Sequence, residues 1–268
     1  MDIVRTAQRI ADEVLFPAAL ATDASDVLPR ELLDALADAG LYGVAAPEEA
    51  GGLNADFGTA CAVQEALASG CMTTAFVWVQ HTGLVHAVAA SDRAELRDRW
   101  LAPLASGAIR GGLGSGGLLP KPTLRARRDG DRWLLDGVSP FVSGWGRIDV
   151  IHVAARTPED QVVWLIVDAA QGPSLRAERL RLAALNATAT MRVTFSALPV
   201  AADRVTGLHP YGAGGAVGAG AVPEVLRVHA AMALGVAARC CRLLGPTSLD
   251  GELASVRAGL DELGPGLP

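Results

Sequence analysis

Residues 141–146, Phe-Val-Ser-Gly-Trp-Gly, place two aromatic rings, a hydroxyl and two glycines in immediate succession. That group suits a backbone lying against something flat: rings make an apolar wall, the hydroxyl offers a hydrogen bond, and glycine permits close approach. The same residues also suit a sheet edge, with the serine serving only the turn. A second candidate is Gly112-Leu113-Gly114-Ser115-Gly116-Gly117, which satisfies the letters G-x-G-x-x-G. A dinucleotide fingerprint needs a helix to start inside it, so that the helix N-terminus holds the pyrophosphate. Pro120 and Pro122 forbid that helix, and the segment before the glycines reads as helical. The Rossmann reading is rejected. So is a nucleophile elbow, because Leu113 stands where G-x-S-x-G requires its first glycine.

Four carboxylates are candidates for a proton-abstracting base: Glu48, Glu49, Glu65 and Glu224. Glu48 and Glu49 read as a solvated loop, and Glu224 as a first-turn charge favoured by the helix dipole. The histidines at 81, 86, 152, 209 and 229 are scattered. His81 and His86 are five apart, off the i, i+4 spacing of a helical metal pair, so core or partner roles are expected and no metal site. The cysteines at 61, 71, 240 and 241 have no C-x-x-C spacing, which predicts reduced thiols and a cytoplasmic protein.

The elements that must position these groups change character along the chain. Ile3, Ala7, Ile10 and Val14 define one helical face, expected to end at Pro17. Pro29 opens a second helix carrying Leu32, Leu33 and Leu36, and Gly40 closes it. Helices are predicted again over about 58–68 and 73–90. Another follows, capped by Ser91, with Leu96, Trp100 and Leu104 on one face. From Gly107 the period falls to two. Strands are predicted over 123–128, 132–135, 149–155, 161–168 and 189–196, with Asp129-Gly130 and Asp136-Gly137 as hairpin turns. Residues 211–220 read as a loop, 224–244 as a strong helix and 249–263 as a shorter one. The expected fold class is therefore α+β with segregated parts: an N-terminal helical domain over residues 1–106, a middle antiparallel β-barrel or sandwich over 107–206, and a C-terminal helical portion over 220–268.

Composition narrows the function classes. The chain has 268 residues, room for a sizeable core, yet aromatics are only 4%, so Ala, Leu and Val must fill it. Against 23 basic residues stand 29 acidic ones, and no basic block appears, which argues against a nucleic-acid partner. The uncharged run 66–91 contains Gln80, His81 and His86 and reads as buried helix, so no membrane span is expected.

The order of these pieces resembles the acyl-CoA dehydrogenase family of flavoproteins. That family's helical domain carries L-x-x-x-G-L-x-G-x-x-x-P-E-x-x-G-G, which here runs from Leu36 through Gly40, Leu41, Gly43, Pro47 and Glu48 to Gly51 and Gly52. Glu65, Leu101-Ala102-Pro103-Leu104-Ala105-Ser106-Gly107, Asp129-Gly130, Asp136-Gly137, Ile148-Asp149-Val150 and Arg192-Val193-Thr194-Phe195 are similar to it too, in the family's order. The resemblance spans about residues 2–244. It implies FAD and an acyl-CoA thioester held between the domains.

In the family a Trp-Ile-Thr/Ser motif sets an aromatic and a hydroxyl against the flavin. Here that becomes Phe141-Val142-Ser143, with Ser143 donating to the ring. The family's Thr-Glu-Pro region is occupied by Leu113, Gly114 and Ser115, without an acid, so that cofactor contact is expected through backbone N–H groups. Full-length members continue into further helices that supply an oligomer interface, an arginine to the pyrophosphate and usually the catalytic glutamate. This chain stops at Pro268, so these are expected from elsewhere. Some relatives carry the base on the preceding helix, which makes Glu224 the catalytic candidate, although a weak one. The implied activity is α,β-dehydrogenation of an acyl-CoA, in a homo- or hetero-oligomer whose partner subunit provides the base. Two alternatives stand: a non-catalytic structural or binding subunit, and a same-fold flavin monooxygenase.

Overall fold

The computed structural model describes residues 2–212, 223–246 and 249–263, without the side chains of Pro223, Glu224 and Leu263. The segment 213–220, read from sequence as loop, lies outside the described residues. Helices come first, a sheet follows and two helices end the order, which is the expected α+β arrangement.

The first helix, α1 (Ile3–Ile10), buries Ile3, Ala7 and Ile10, the face predicted for it, and Asp2 caps it by accepting from Arg5 N–H. It does not end at Pro17. Residues Ala11–Leu15 widen into a π turn in which Phe16 N–H bonds Ala11 O, and the chain passes directly into α2 (Phe16–Asp23). Proline then sits in the first turn of α2, where no N–H is needed, so the wider turn absorbs the break expected there.

The helix α3 (Arg30–Asp38) starts after Pro29 and stops at Gly40, whose φ of 74° favours glycine. Two short 3-10 turns, Leu41–Gly43 and Glu48–Ala50, lead to α4 (Phe57–Gly70) and α5 (Met72–Ala89). The next helix, α6 (Ala94–Ala105), begins at Arg93 rather than at Ser91. The serine hydroxyl instead accepts from Arg93 N–H, forming a local turn just before the helix.

Among the described residues the sheet has eight strands: β1 (Gly111–Gly114), β2 (Leu124–Asp129), β3 (Arg132–Val142), β4 (Val150–Arg156), β5 (Gln161–Asp168), β6 (Leu175–Arg179), β7 (Met191–Ala201) and β8 (Val205–Pro210). The hydrogen-bonded path runs β6-β7-β3-β2-β4-β5-β8, and β1 lies beside β4. Its two halves meet through one register pair, Arg125 with Arg156. Leu124, Leu135, Val193 and Phe195 from one half and Ile151, Val153, Val163 and Leu165 from the other share one core, which gives the sheet its sandwich character. Pairing is antiparallel except for β1 with β4 and β2 with β4.

Asp129-Gly130 makes the predicted hairpin between β2 and β3. Asp136-Gly137 does not: β3 runs through it with a bulge. Gly137 spends its φ of 119° on that bulge, and a Cβ there would lie 2.2 Å from Thr123 O. Asp136 meanwhile accepts from Ala197 N–H across the bulge at 2.7 Å. The strands β1, β6 and β8 were not anticipated; three of the four residues of β1 are glycine, and β6 is only five residues long although it alternates.

The last helices, α7 (Pro223–Leu244) and α8 (Leu249–Leu263), return to the N-terminal helices. Gly235 lets α7 cross α4 so closely that a Cβ there would stand 2.2 Å from Glu65 O. Met232 is buried in the helical core, whereas Val225, Leu226 and Val236 remain exposed. No helix among the described residues is long and apolar enough to cross a membrane.

Candidate functional site

The two segments singled out for chemistry lie against each other. A Cβ on Gly112 would stand 3.2 Å from Ser143 O, one on Gly114 3.2 Å from Ser139 Oγ, and one on Gly116 2.5 Å from Val138 O. Bare glycine is therefore what lets β1 and the turn after it lie along the end of β3. The segment holding Leu113, Gly114 and Ser115 is thereby brought along Val138, Ser139 and Ser143, which sequence spacing alone does not require. Phe141 is 59% exposed while Val142 and Ser143 are buried, so a bare aromatic ring flanks a recessed hydroxyl. Trp145, the second aromatic of the group, packs inward against the sheet core instead.

The backbone of β1 has an open edge. Gly111 donates its N–H to His81 Nδ1 at 3.0 Å, on the side away from β4. Alternate N–H groups of a strand point the same way, so Leu113 N–H faces that side as well. Ser139, on β3 and facing Gly114, is fully buried and its hydroxyl has no partner in the protein. A flat, polar-edged ring such as a flavin fits these features: an exposed ring, a hydroxyl and a glycine-lined backbone edge.

Ser143 is held from behind. Its Oγ lies 2.8 Å from Thr190 Oγ1, which lies 2.8 Å from Thr188 Oγ1, and Thr188 donates to Leu185 O at 2.7 Å. The turn carrying these threonines is bent: Leu185 and Ala189 both adopt positive φ, 61° and 46°. Side chains other than glycine resist that conformation, at about 1–2 kcal/mol each. Asn186 pins the turn by donating to Leu182 O and accepting from Leu182 N–H.

Two buried cations or cation-capable groups fix the glycine segment at its ends. His81, at its start, donates from Nε2 to Leu104 O at 3.1 Å and accepts from Gly111, which requires the neutral Nε2–H tautomer. Burial lowers its pKa to about 4, with Arg110 acting in the same direction. At the other end Arg156, 4% exposed, donates from Nε and Nη2 to Gly117 O at 3.1 and 2.9 Å and from Nη2 to Leu119 O at 3.2 Å. Asp160 takes its Nη1 at 2.7 Å and Tyr211 stacks on its guanidinium. Neither residue was linked to this segment by sequence, nor were Thr188 and Thr190. An isolated histidine on an apolar helix and an arginine ending a buried strand were the available signals.

The carboxylates are placed elsewhere. Glu48 and Glu49 are exposed on an outer turn, as expected of a solvated loop. Glu65 is locked to Arg257 of α8 through both carboxylate oxygens. Glu224 follows Pro223 in the first turn of α7, and its side chain lies outside the described residues. A cleft of about 780 Å³ opens between α1, α4, α7 and α8, lined by Cys61, Glu65, Arg227 and Asp261 among others, and it does not include Phe141 or Ser143. Four of its charged groups form two pairs, Arg227 with Asp261 at 2.6 Å and Arg257 with Glu65. Burial pushes the Cys61 thiol up to about 11, which keeps it protonated and poorly nucleophilic. All four cysteines are free. No group of three His, Cys, Asp or Glu among the described residues could hold a metal.

Residues 1–108 match the family model described as acyl-CoA dehydrogenase, N-terminal domain. The chain is 28% identical over 156 residues to the (2S)-methylsuccinyl-CoA dehydrogenase of Cereibacter sphaeroides, covering 56% of this chain and 28% of that protein. Among solved structures, the glutaryl-coenzyme A dehydrogenase–glutaryl-CoA complex matches with a TM-score of 0.78 at 21% identity, over 89% of this chain and 63% of that one. PigA with FAD and proline matches with a TM-score of 0.76, also at 21% identity, over 89% and 65%. The chain thus spans less than two thirds of the length of each of these proteins.

Proposed function

Because this chain belongs to the acyl-CoA dehydrogenase family, we propose that it is an FAD-binding subunit that takes part in α,β-dehydrogenation of an acyl-CoA thioester. The observation that carries this reading is the seating of the Gly112–Gly116 run against Val138, Ser139 and Ser143, on the stretch of chain that carries Phe141. In it, Phe141 forms the wall of the cofactor site, Ser143 presents its hydroxyl, and the backbone of Leu113, Gly114 and Ser115 lies along the edge of the ring. The FAD, when bound, supplies the hydride acceptor for the β-carbon while a base removes the α-proton. The division into parts at 1–106, 107–206 and 220–268 belongs to the same proposal, as does a cytoplasmic location.

The base comes from a partner subunit in this reading. Glu65 is held by Arg257, Glu48 and Glu49 face solvent, and Leu226, Leu243 and Leu244 are more than half exposed on α7, where another subunit would cover them. The same observations favour a second reading, a cofactor- or acyl-CoA-binding subunit without chemistry of its own.

An absorption titration of the purified protein with FAD tests the proposal. Flavin bands perturbed at stoichiometric FAD, bleached anaerobically by an acyl-CoA once a full-length family member is added, are the expected result. Binding without bleaching under any pairing selects the non-catalytic subunit. A folded protein that ignores FAD refutes the flavoprotein reading.

A further inference from the structure

We propose that the cleft between α1, α4, α7 and α8 binds an amphiphilic monocarboxylate, whose carboxylate takes the Arg227 guanidinium from Asp261 and thereby loosens α8. The inference does not rest on the flavin reading, since this cleft includes neither Phe141 nor Ser143.

Arg227 lines the cleft with only 7% of its surface exposed. A guanidinium presents its N–H groups as a flat fork, and a carboxylate meets it best through two parallel bonds. Asp261 supplies one bond, from Nη2 to its Oδ1 at 2.6 Å, and Nη1 is buried without a partner. The other two arginines of the cleft are engaged differently. Arg257 holds Glu65 through Nε and Nη2, and Arg242 donates to Ser69 Oγ at 2.9 Å. A buried donor left idle costs free energy that a better-placed acceptor recovers. Asp261, tethered to α8, reaches one arm of the fork, whereas a free carboxylate can span both. The sign of the ligand follows as well. Arg227, Asp261, Arg257 and Glu65 alternate in charge, and the end of that row with a spare donor is a cation.

The remainder of the cleft suits a hydrocarbon tail. Its volume is about 780 Å³, and Val4, Phe57, Ala62, Ala66 and Ala238 are among its walls. Phe57 is 37% exposed, so a tail lying on it would remove apolar surface from water. Cys61, kept protonated by burial, behaves there as one more small apolar group. The tail supplies affinity and the fork selects the headgroup.

The helix α8 is placed to yield. None of its described side chains is buried, and only Leu253, Arg257 and Leu260 are half-buried. Gly251 and Gly259 weaken it as a helix, and no packing at either position requires glycine. Asp261 has a side chain 57% exposed, so water solvates its carboxylate once the arginine is taken. Two carboxylates competing for one fork couple occupancy of the cleft to the docking of α8.

Isothermal titration calorimetry of the full chain without FAD tests this, with octanoate as the probe, octanol as the tail alone and octylamine as the wrong charge. One octanoate per chain is expected, bound about tenfold or more tighter than octanol or octylamine. Arg227→Met keeps a long side chain and helix propensity and should lower octanoate affinity about tenfold while leaving octanol unchanged. Asp261→Asn removes the competing carboxylate and should raise octanoate affinity about threefold. Amide hydrogen exchange on the parent completes the test: octanoate should speed exchange across 249–263. Octanol or octylamine binding as tightly as octanoate, full affinity in Arg227→Met, weaker affinity in Asp261→Asn, or unchanged or slower exchange in α8 overturns the inference. Should Arg227→Met not fold, the octanol comparison and Asp261→Asn decide it. Failure of the protein to bind FAD refutes the flavin reading and leaves these results standing.

Discussion

Replacing His81 by glutamine should remove most of the acid sensitivity that this residue builds into the fold. The imidazole is 1% exposed and uses both nitrogens, one donating to Leu104 O and one accepting from Gly111 N–H. Protonation would place a second N–H against that of Gly111, so the folded protein resists it, and burial adds to the resistance. The folded pKa is lowered to about 4 from 6.5. As pH falls below 6.5 the unfolded chain therefore takes up a proton that the folded one refuses, and stability is lost until the pH passes the folded pKa. At pH 5 linkage makes that loss about 2 kcal/mol relative to pH 8, rising to about 3 kcal/mol below pH 4.

Glutamine carries an acceptor and a donor on one end and does not titrate in this range. The assay is urea unfolding of both proteins at pH 8 and pH 5. His152, with a pKa lowered to about 3 by burial, loses stability in the same direction but equally in both proteins, so the difference isolates His81. Stability should fall by about 2 kcal/mol more in the parent than in His81→Gln between the two pH values. Equal losses would refute the assignment of the neutral tautomer and the argument that His81 anchors the start of β1.

Arg156→Lys should not preserve the glycine segment, because a single ammonium cannot reproduce the fork that meets Gly117 O, Leu119 O and Asp160 together. A loss of about 2–3 kcal/mol in urea unfolding is expected, with weaker FAD binding beside it; a variant as stable as the parent would show the clamp to be incidental. Gly235→Leu should separate α7 from α4, since even a Cβ would meet Glu65 O. Overpacking there costs about 1–3 kcal/mol or more, read as faster amide exchange in both helices, and unchanged protection would contradict the close crossing.

The sequence alone determined the order of helices, strands and helices, because that order is written in local periodicity and punctuation. Ile3, Ala7 and Ile10 share a face by spacing, Gly40 can end α3 because glycine tolerates its φ, and Asp129-Gly130 makes its hairpin from four adjacent residues. The ordered family motifs carried the resemblance for the same reason, since spacing along the chain survives where single residues drift. Where a residue had two compatible local uses, tertiary structure chose between them. Pro17 was able to end a helix or to enter one behind a π turn, and packing against the close-crossing Gly70 accompanies the second outcome. Asp136-Gly137 was able to turn or to bulge, and the pairing of β3 with β7 continues past it.

The site divides along the same line. Phe141, Ser143 and the glycines were legible as residues able to lie against a ring, since ring, hydroxyl and missing side chain are properties of single amino acids. What holds them was not legible. His81, Arg156 and the Thr190–Thr188 pair lie 30, 39 and 47 positions or so from the groups they bond, and no local pattern encodes such a distance.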